Sequence, residues 1–227
     1  MSDSTDNAAV LSEAYAAITE LVSPLDPFDF SRPTGCAGWT INALLFHILL
    51  DAQRCLITLA DPVDSAADTD AVTYWRAYES AQGDDERKRE AHAAFVRKSA
   101  EAYLRPSGLV EQWTDTCRAA AAAARRADPA ARVATQDHVL TVRDFLATLV
   151  VEAALHHLDL VVALPDGLPP PASALRITRR TLEGLLGQPA PGWADVALAR
   201  GLTGRRDLSH DERAELGEAV ERLPLIR

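Results

Sequence analysis

The run TVRDFLATLVVEAALHHLDLVVAL, residues 141–164, puts a carboxylate and an imidazole on the apolar stripe of a helix. At about 100° per residue, Phe145, Leu149, Glu152, His156 and Leu160 fall on one arc, in steps of four, three, four and four. Glu152 and His156 therefore stand where a core takes leucine. A buried carboxylate without a partner costs about several kcal/mol and is driven to protonate, so something must compensate for it. A divalent metal ion does so: a carboxylate and an imidazole at i and i+4 chelate one ion from a single helix face, with a third ligand supplied by another element.

The segment INALLFHILLDAQRCLITL offers that ligand in His47, which lies among Leu44, Phe46, Ile48 and Leu50. Two histidines and one glutamate leave a coordination position open, as catalytic rather than structural zinc sites do. The metal-free alternative stands beside this. A histidine in an apolar helix is commonly a core residue bonded to a carbonyl, and Glu152 and His156 can pair with each other. His157 points about 100° away from His156 and is expected to be structural or exposed. Asp159 and Asp51 are candidate acceptors behind ligand imidazoles.

Helical periodicity recurs in five long segments and strand-like alternation is nearly absent, which makes the class all-α. The first helix is expected from about Asp6 to Val22, with Val10, Leu11, Tyr15, Ile18 and Leu21 on one face. The loop SPLDPFDFSRPTGCAGW ends it. Thr40 caps a second helix, from Ile41 to about Leu59, apolar around much of its circumference and so central to a bundle. A segment follows around Ala71 to Gln82, then Asp84 and Asp85 open a charged helix from about Glu86 to Leu104. Pro106 and Ser107 restart a helix through the alanine run Ala119 to Ala124, which stops before Pro129. Thr141 and Asp144, in a variant of the capping box, open the helix of the Glu152–His156 pair, which ends before Pro165.

The stretch PDGLPPPAS is the clearest linker and divides the chain into a bundle over 1–164 and an extension over 165–227. The extension reads as helical. It holds SALRITRRTLEGLLG, a break at Gln188 to Gly192, a short piece from Trp193, and a last helix opened by Ser209 with Glu212 in capping-box register.

Composition narrows the partners. The chain carries 33 acidic and 23 basic residues, a formal charge of −10, with its lysines and arginines scattered rather than striped, which argues against nucleic acid. Three cysteines without a CxxC pair read as free thiols of a reducing compartment. No basic and apolar leader precedes the first helix, and no continuous apolar run reaches about 18 residues, so no membrane span and a cytoplasmic location are expected.

The run TGCAGWTINALLFHIL, followed about a hundred residues later by the Glu152 helix, resembles the DinB-like metalloenzyme superfamily, in its mycothiol-dependent maleylpyruvate isomerase (N-terminal domain) branch. The matching positions are Trp39, Thr40, Leu44, Leu45 and His47, then Glu152, His156 and Asp159, and the resemblance covers roughly residues 8 to 164. It implies a four-helix bundle in which His47, Glu152 and His156 bind a divalent metal, usually zinc, with mycothiol as the thiol cosubstrate. The family's isomerases carry a C-terminal α/β domain with an arginine important for activity. The tail here departs from that pattern, and its LTGRRDLS segment, which looks like a related TGR element, makes Arg205 the candidate substrate-binding, anion-binding residue.

The resulting expectation is a metal- and mycothiol-dependent S-transferase acting on a small electrophile. The alternatives are a cis-trans isomerase of the maleylpyruvate type, a metal-dependent hydrolase with His138 as a possible base, and a non-catalytic helical binding protein with a buried polar network. Cys36 is a further candidate nucleophile, with no argument for a depressed pKa. The electrophile is expected between the bundle end and the tail, near Trp193, Arg179, Arg180 and Arg205.

Overall fold

The computed structural model describes residues 6–76 and 86–226. Helix α1 spans Asn7–Val22, α2 Ile41–Ala60, α3 Glu86–Glu101 and α4 Pro106–Arg126. Strands β1 (Arg132–Thr135) and β2 (His138–Thr141) precede α5 (Val142–Val162), and the tail holds α6 (Ala172–Leu186), α7 (Asp195–Leu202) and α8 (His210–Leu216). The segment expected over residues 71–82 is described only as far as Arg76, and Asp84 and Asp85 lie outside the described residues.

Local chemistry sets the helix starts. Asp6 accepts from the backbone N–H groups of Ala8 and Ala9, Thr40 from Ala43 and Thr141 from Asp144, each satisfying donors that a helix start leaves unpaired. The Thr141 hydroxyl also donates to the Asp144 carboxylate at 2.6 Å. Ser209 and Glu212 exchange both bonds of a capping box. Pro106 occupies the first turn of α4, where its missing N–H costs nothing.

Four helices form the bundle: α4 packs between α1 and α2, and α5 closes the ring against both. Leu11, Ile18, Leu45, Leu49 and Trp113 have essentially no solvent exposure at its centre. Trp113 meets Tyr15 edge-on at 5.3 Å and donates its indole N–H to Thr19 Oγ1 at 2.9 Å, so the large ring is buried with its polar edge satisfied. Helix α3 lies on the outside of α2, α6 packs on α5 and α1, and α7 packs on α6. Leu182, Leu198 and Leu202 of the tail belong to one buried cluster with the bundle core, which is therefore continuous across residue 165.

One sequence expectation is corrected. The strands β1 and β2 form an antiparallel hairpin where strand-like alternation is nearly absent, with Val133 and Leu140 facing inward and fully buried. Each strand has four residues, too few for alternation to register. The two-residue turn Gln136–Asp137 takes positive φ values of 49° and 65° without the glycine that usually signals such a turn. The all-α class stands, since this hairpin is the sheet found among the described residues. Helices α2 and α5 are each long and apolar enough by length and composition alone to cross a membrane, although scattered polar residues leave neither with the continuous apolar run of a span. Burial explains the apolarity of α5, 83% of whose most apolar window lies inside the protein.

Candidate metal centre

The third turn of α5 brings Glu152 into the bundle and the fourth brings His156, both on the side facing α2, which delivers His47. One ligand atom from each of His47, Glu152 and His156 lies within 4.8 Å of the others. The His47 and His156 rings meet edge-on at 4.8 Å, and His156 Nε2 is 3.3 Å from Glu152 Oε2. The cluster is largely buried: the His156 and Glu152 side chains keep 11% and 19% of their exposure. Trp39 stacks edge-on to His47 at 5.0 Å, and His92 of α3 stands 5.6 Å from the same ring.

Charge is distributed unevenly over the three side chains. Burial and the neighbouring His156 press the His47 imidazole down to about 3, so it is neutral with a lone pair to offer. Its Nδ1 is buried without a hydrogen-bond partner. Burial pushes the Glu152 carboxyl up, but the hydrogen bond and charge of His156 outweigh it and hold the group at about 2. For His156, burial acts downward and is overcome by hydrogen bonds with Asp159, Cys36 and Glu152, which raise it well above its ordinary value. Two imidazoles and an ionised carboxylate within reach of one point form a donor set that fits a divalent ion.

Asp159 organises the surroundings. Its carboxylate, 2% exposed, accepts Nδ1–H of His156 at 3.2 Å and the Cys36 thiol at 3.2 Å. Arg205, from the tail, grips it with Nε to Oδ1 at 3.0 Å and Nη2 to Oδ2 at 2.9 Å. Burial acts against ionisation of Asp159, yet His156 and Arg205 hold it well below the usual carboxylate range. The main chain closes in as well: Gly35 N–H donates to the Asp159 carbonyl at 3.0 Å, and a Cβ at residue 35 would sit 2.6 Å from Asp159 Oδ1. Glycine is required here by close approach rather than by an unusual φ.

The structure brings His47, Glu152, His156 and Arg205 into one neighbourhood, with Asp159 bonded to the His156 imidazole. Asp51 is placed differently. It lies one turn beyond His47 but pairs with Arg54 at 3.0 Å instead of with an imidazole, and burial raises its carboxyl to about 6. His157 is buried and bonds the Leu168 carbonyl. His138 sits on β2, 3.5 Å from Asp68, rather than in a loop. Arg179 is engaged by Asp195 and by the Trp193 carbonyl, and the Trp193 indole donates to Glu215, so both hold the tail together. Cys36 is the neighbour whose proximity the sequence did not reveal. Only its place one residue after Gly35, in the loop before α2, hinted at it.

A family model described as mycothiol maleylpyruvate isomerase N-terminal domain matches residues 11–161, a span that includes His47, Glu152 and His156 and stops short of Arg205. No curated protein and no solved structure matches the chain.

Proposed function

The chain belongs to the mycothiol maleylpyruvate isomerase N-terminal domain family, which points to a mycothiol-related enzyme, and on that premise we propose a metal- and mycothiol-dependent S-transferase acting on a small electrophile. The observation that carries the proposal is the convergence of His47 with Glu152 and His156 from two helices. These three residues would hold the ion, zinc by the chemistry of the donors. When bound, such an ion supplies Lewis acidity at an open coordination position, where a thiol sulfur is kept as the thiolate near neutral pH.

The protein's own residues prepare that position. His47 needs no deprotonation to act as a ligand. Asp159 holds the Nδ1–H of His156 and so turns Nε2 toward Glu152, the orientation that carboxylate–histidine pairs impose on metal ligands. Arg205 keeps Asp159 ionised and in place. Its Nη1 makes no hydrogen bond among the described residues, and we assign that edge to an anionic group of the electrophile. Trp39 and His92 flank His47 and give the apolar part of a substrate a surface to lie on.

Transfer is favoured over isomerisation because residues 172–226 form helices rather than the α/β domain that the resemblance associates with the isomerases. The proposed setting is the cytoplasm, where Cys36, Cys55 and Cys117 stay as the free thiols they are here. The test is a metal-loaded preparation given mycothiol with haloaromatic, epoxide and enone electrophiles and with maleylpyruvate. Free-thiol loss is followed separately from isomer conversion. Thiol consumption that requires metal and disappears in His47→Ala supports the proposal. Isomer conversion with full recovery of thiol, or turnover by water alone, replaces it.

A further inference from the structure

We propose that Cys36, His156 and Asp159 form a second binding position, distinct from the candidate zinc centre, for a soft monovalent metal ion of the copper(I) kind. Cys36 Sγ lies 3.2 Å from Asp159 Oδ2 and 3.8 Å from His156 Nδ1, which is itself 3.2 Å from that oxygen. Ligand atoms held about 2.0–2.3 Å from a common ion stand about 3.3–3.8 Å apart in tetrahedral or trigonal geometry, so the three atoms already form a triangle of nearly that size. The group shares His156 with the zinc centre but uses its other nitrogen: Nε2 faces Glu152, 3.3 Å away, and Nδ1 faces Cys36. Cys36 is the most exposed of the three residues and gives an ion its way in. Cys55 and Cys117 are buried, and neither stands in such a group among the described residues.

Softness and charge select the ion. A thiolate favours copper(I) and an imidazole suits copper as well as zinc, whereas the neighbouring centre of His47, Glu152 and His156 has no sulfur. Arg205 decides the valence. It holds Asp159 through Nε and Nη2, at 3.0 and 2.9 Å, and so fixes a positive charge beside the triangle. With the thiol ionised, Cys36 and Asp159 carry two negative charges. Arg205 and a monovalent ion cancel them, while a divalent ion leaves an excess positive charge in a buried setting. Binding breaks the Cys36 S–H and His156 Nδ1–H bonds and forms one bond from the ion to each of those atoms. Both protons pass to solvent, and no electrons change hands.

The test uses the full chain freed of metal, with silver(I) as a redox-inert probe in chloride-free buffer. Elemental analysis after dialysis should find one silver per chain, and the Nδ1 resonance of His156 should move in nitrogen-15 spectra. His47→Ala should still hold one silver, since the triangle does not contain His47. Cys36→Ser keeps a donor for Asp159 and should stay folded, yet lose silver affinity by at least about a hundredfold, more than removing a support behind a ligand does. Arg205→Gln lifts the fixed charge and should raise affinity for cadmium(II) relative to silver(I) by about tenfold or more, a ratio in which any effect on folding cancels. Silver retained in Cys36→Ser, silver lost from folded His47→Ala, no stoichiometric silver in the wild type, or an unchanged cadmium-to-silver ratio in Arg205→Gln overturns the proposal. None of these measurements involves mycothiol, zinc or turnover, so failure here is separate from failure of the S-transferase reading.

Discussion

Arg205→Ala should damage the site from a distance. The substitution removes two hydrogen bonds, at 3.0 and 2.9 Å, from a carboxylate that is 2% exposed. Removing one partner of a buried ion pair costs about 3–5 kcal/mol, because the other charge is left in a medium that cannot solvate it. Here Asp159 keeps His156 and the Cys36 thiol, and Arg205 is itself 14% exposed, so the loss falls to about 2–3 kcal/mol. For a chain of this length each kcal/mol moves the melting temperature by about 2–4 °C, giving a drop of about 4–12 °C. Zinc affinity should fall about tenfold, the lower end for removing support behind a ligand imidazole, since Arg205 acts on His156 through Asp159. Arg205→Lys keeps the charge without the fork and should recover only part of both losses. Thermal melts by circular dichroism and competition with a chromophoric chelator measure the two effects. A melting temperature within about 1 °C of the wild type, together with unchanged zinc affinity, would refute the reasoning.

Zinc uptake near pH 7 should release a single proton, because His47, at about 3, and Glu152, at about 2, have none to lose, whereas His156 is raised well above its ordinary value. Affinity should then climb about tenfold per pH unit until the folded value of His156 is passed. The same raised value means that the stability His156 lends the metal-free fold is fully present below about 6.5 and is lost as pH rises through the folded value. Calorimetry in buffers of different ionisation enthalpy counts the protons, and zero or two contradicts the charge assignment. Gly35→Ala removes no charge, yet its Cβ would sit 2.6 Å from Asp159 Oδ1; zinc affinity and melting temperature should both fall, and wild-type values would mean that the loop moves aside freely. Cys36→Ser keeps a donor for Asp159 and should leave zinc content and S-transfer within about twofold, whereas loss of transfer with metal retained would make the thiol a nucleophile.

Features that depend on neighbours in sequence were legible from the chain alone. Thr40, Thr141 and Ser209 each mark a helix start through a contact no more than three residues away, and the i, i+4 spacing put Glu152 and His156 on one face. The meeting of His47 with that pair is different. Neither helix specifies it alone, and the paired motifs supplied the connection. What escaped the sequence depends on close approach between distant segments. Arg205 meets Asp159 across 46 residues, and Gly35 is needed only because Asp159 lies against it. The hairpin escaped for a local reason, since its turn uses Gln136 and Asp137 in place of an Asn–Gly signal.

The proposal stands or falls on metal. Elemental analysis of the chain after exposure to excess zinc and removal of free ion, run beside His47→Ala and His156→Ala, tests it most directly. The expected result is one zinc per wild-type chain and a small fraction of that in either variant, with circular dichroism showing that both remain folded. A wild-type protein that takes up no stoichiometric metal, or a folded His156→Ala protein that still holds a full equivalent, would contradict the assignment of His47, Glu152 and His156.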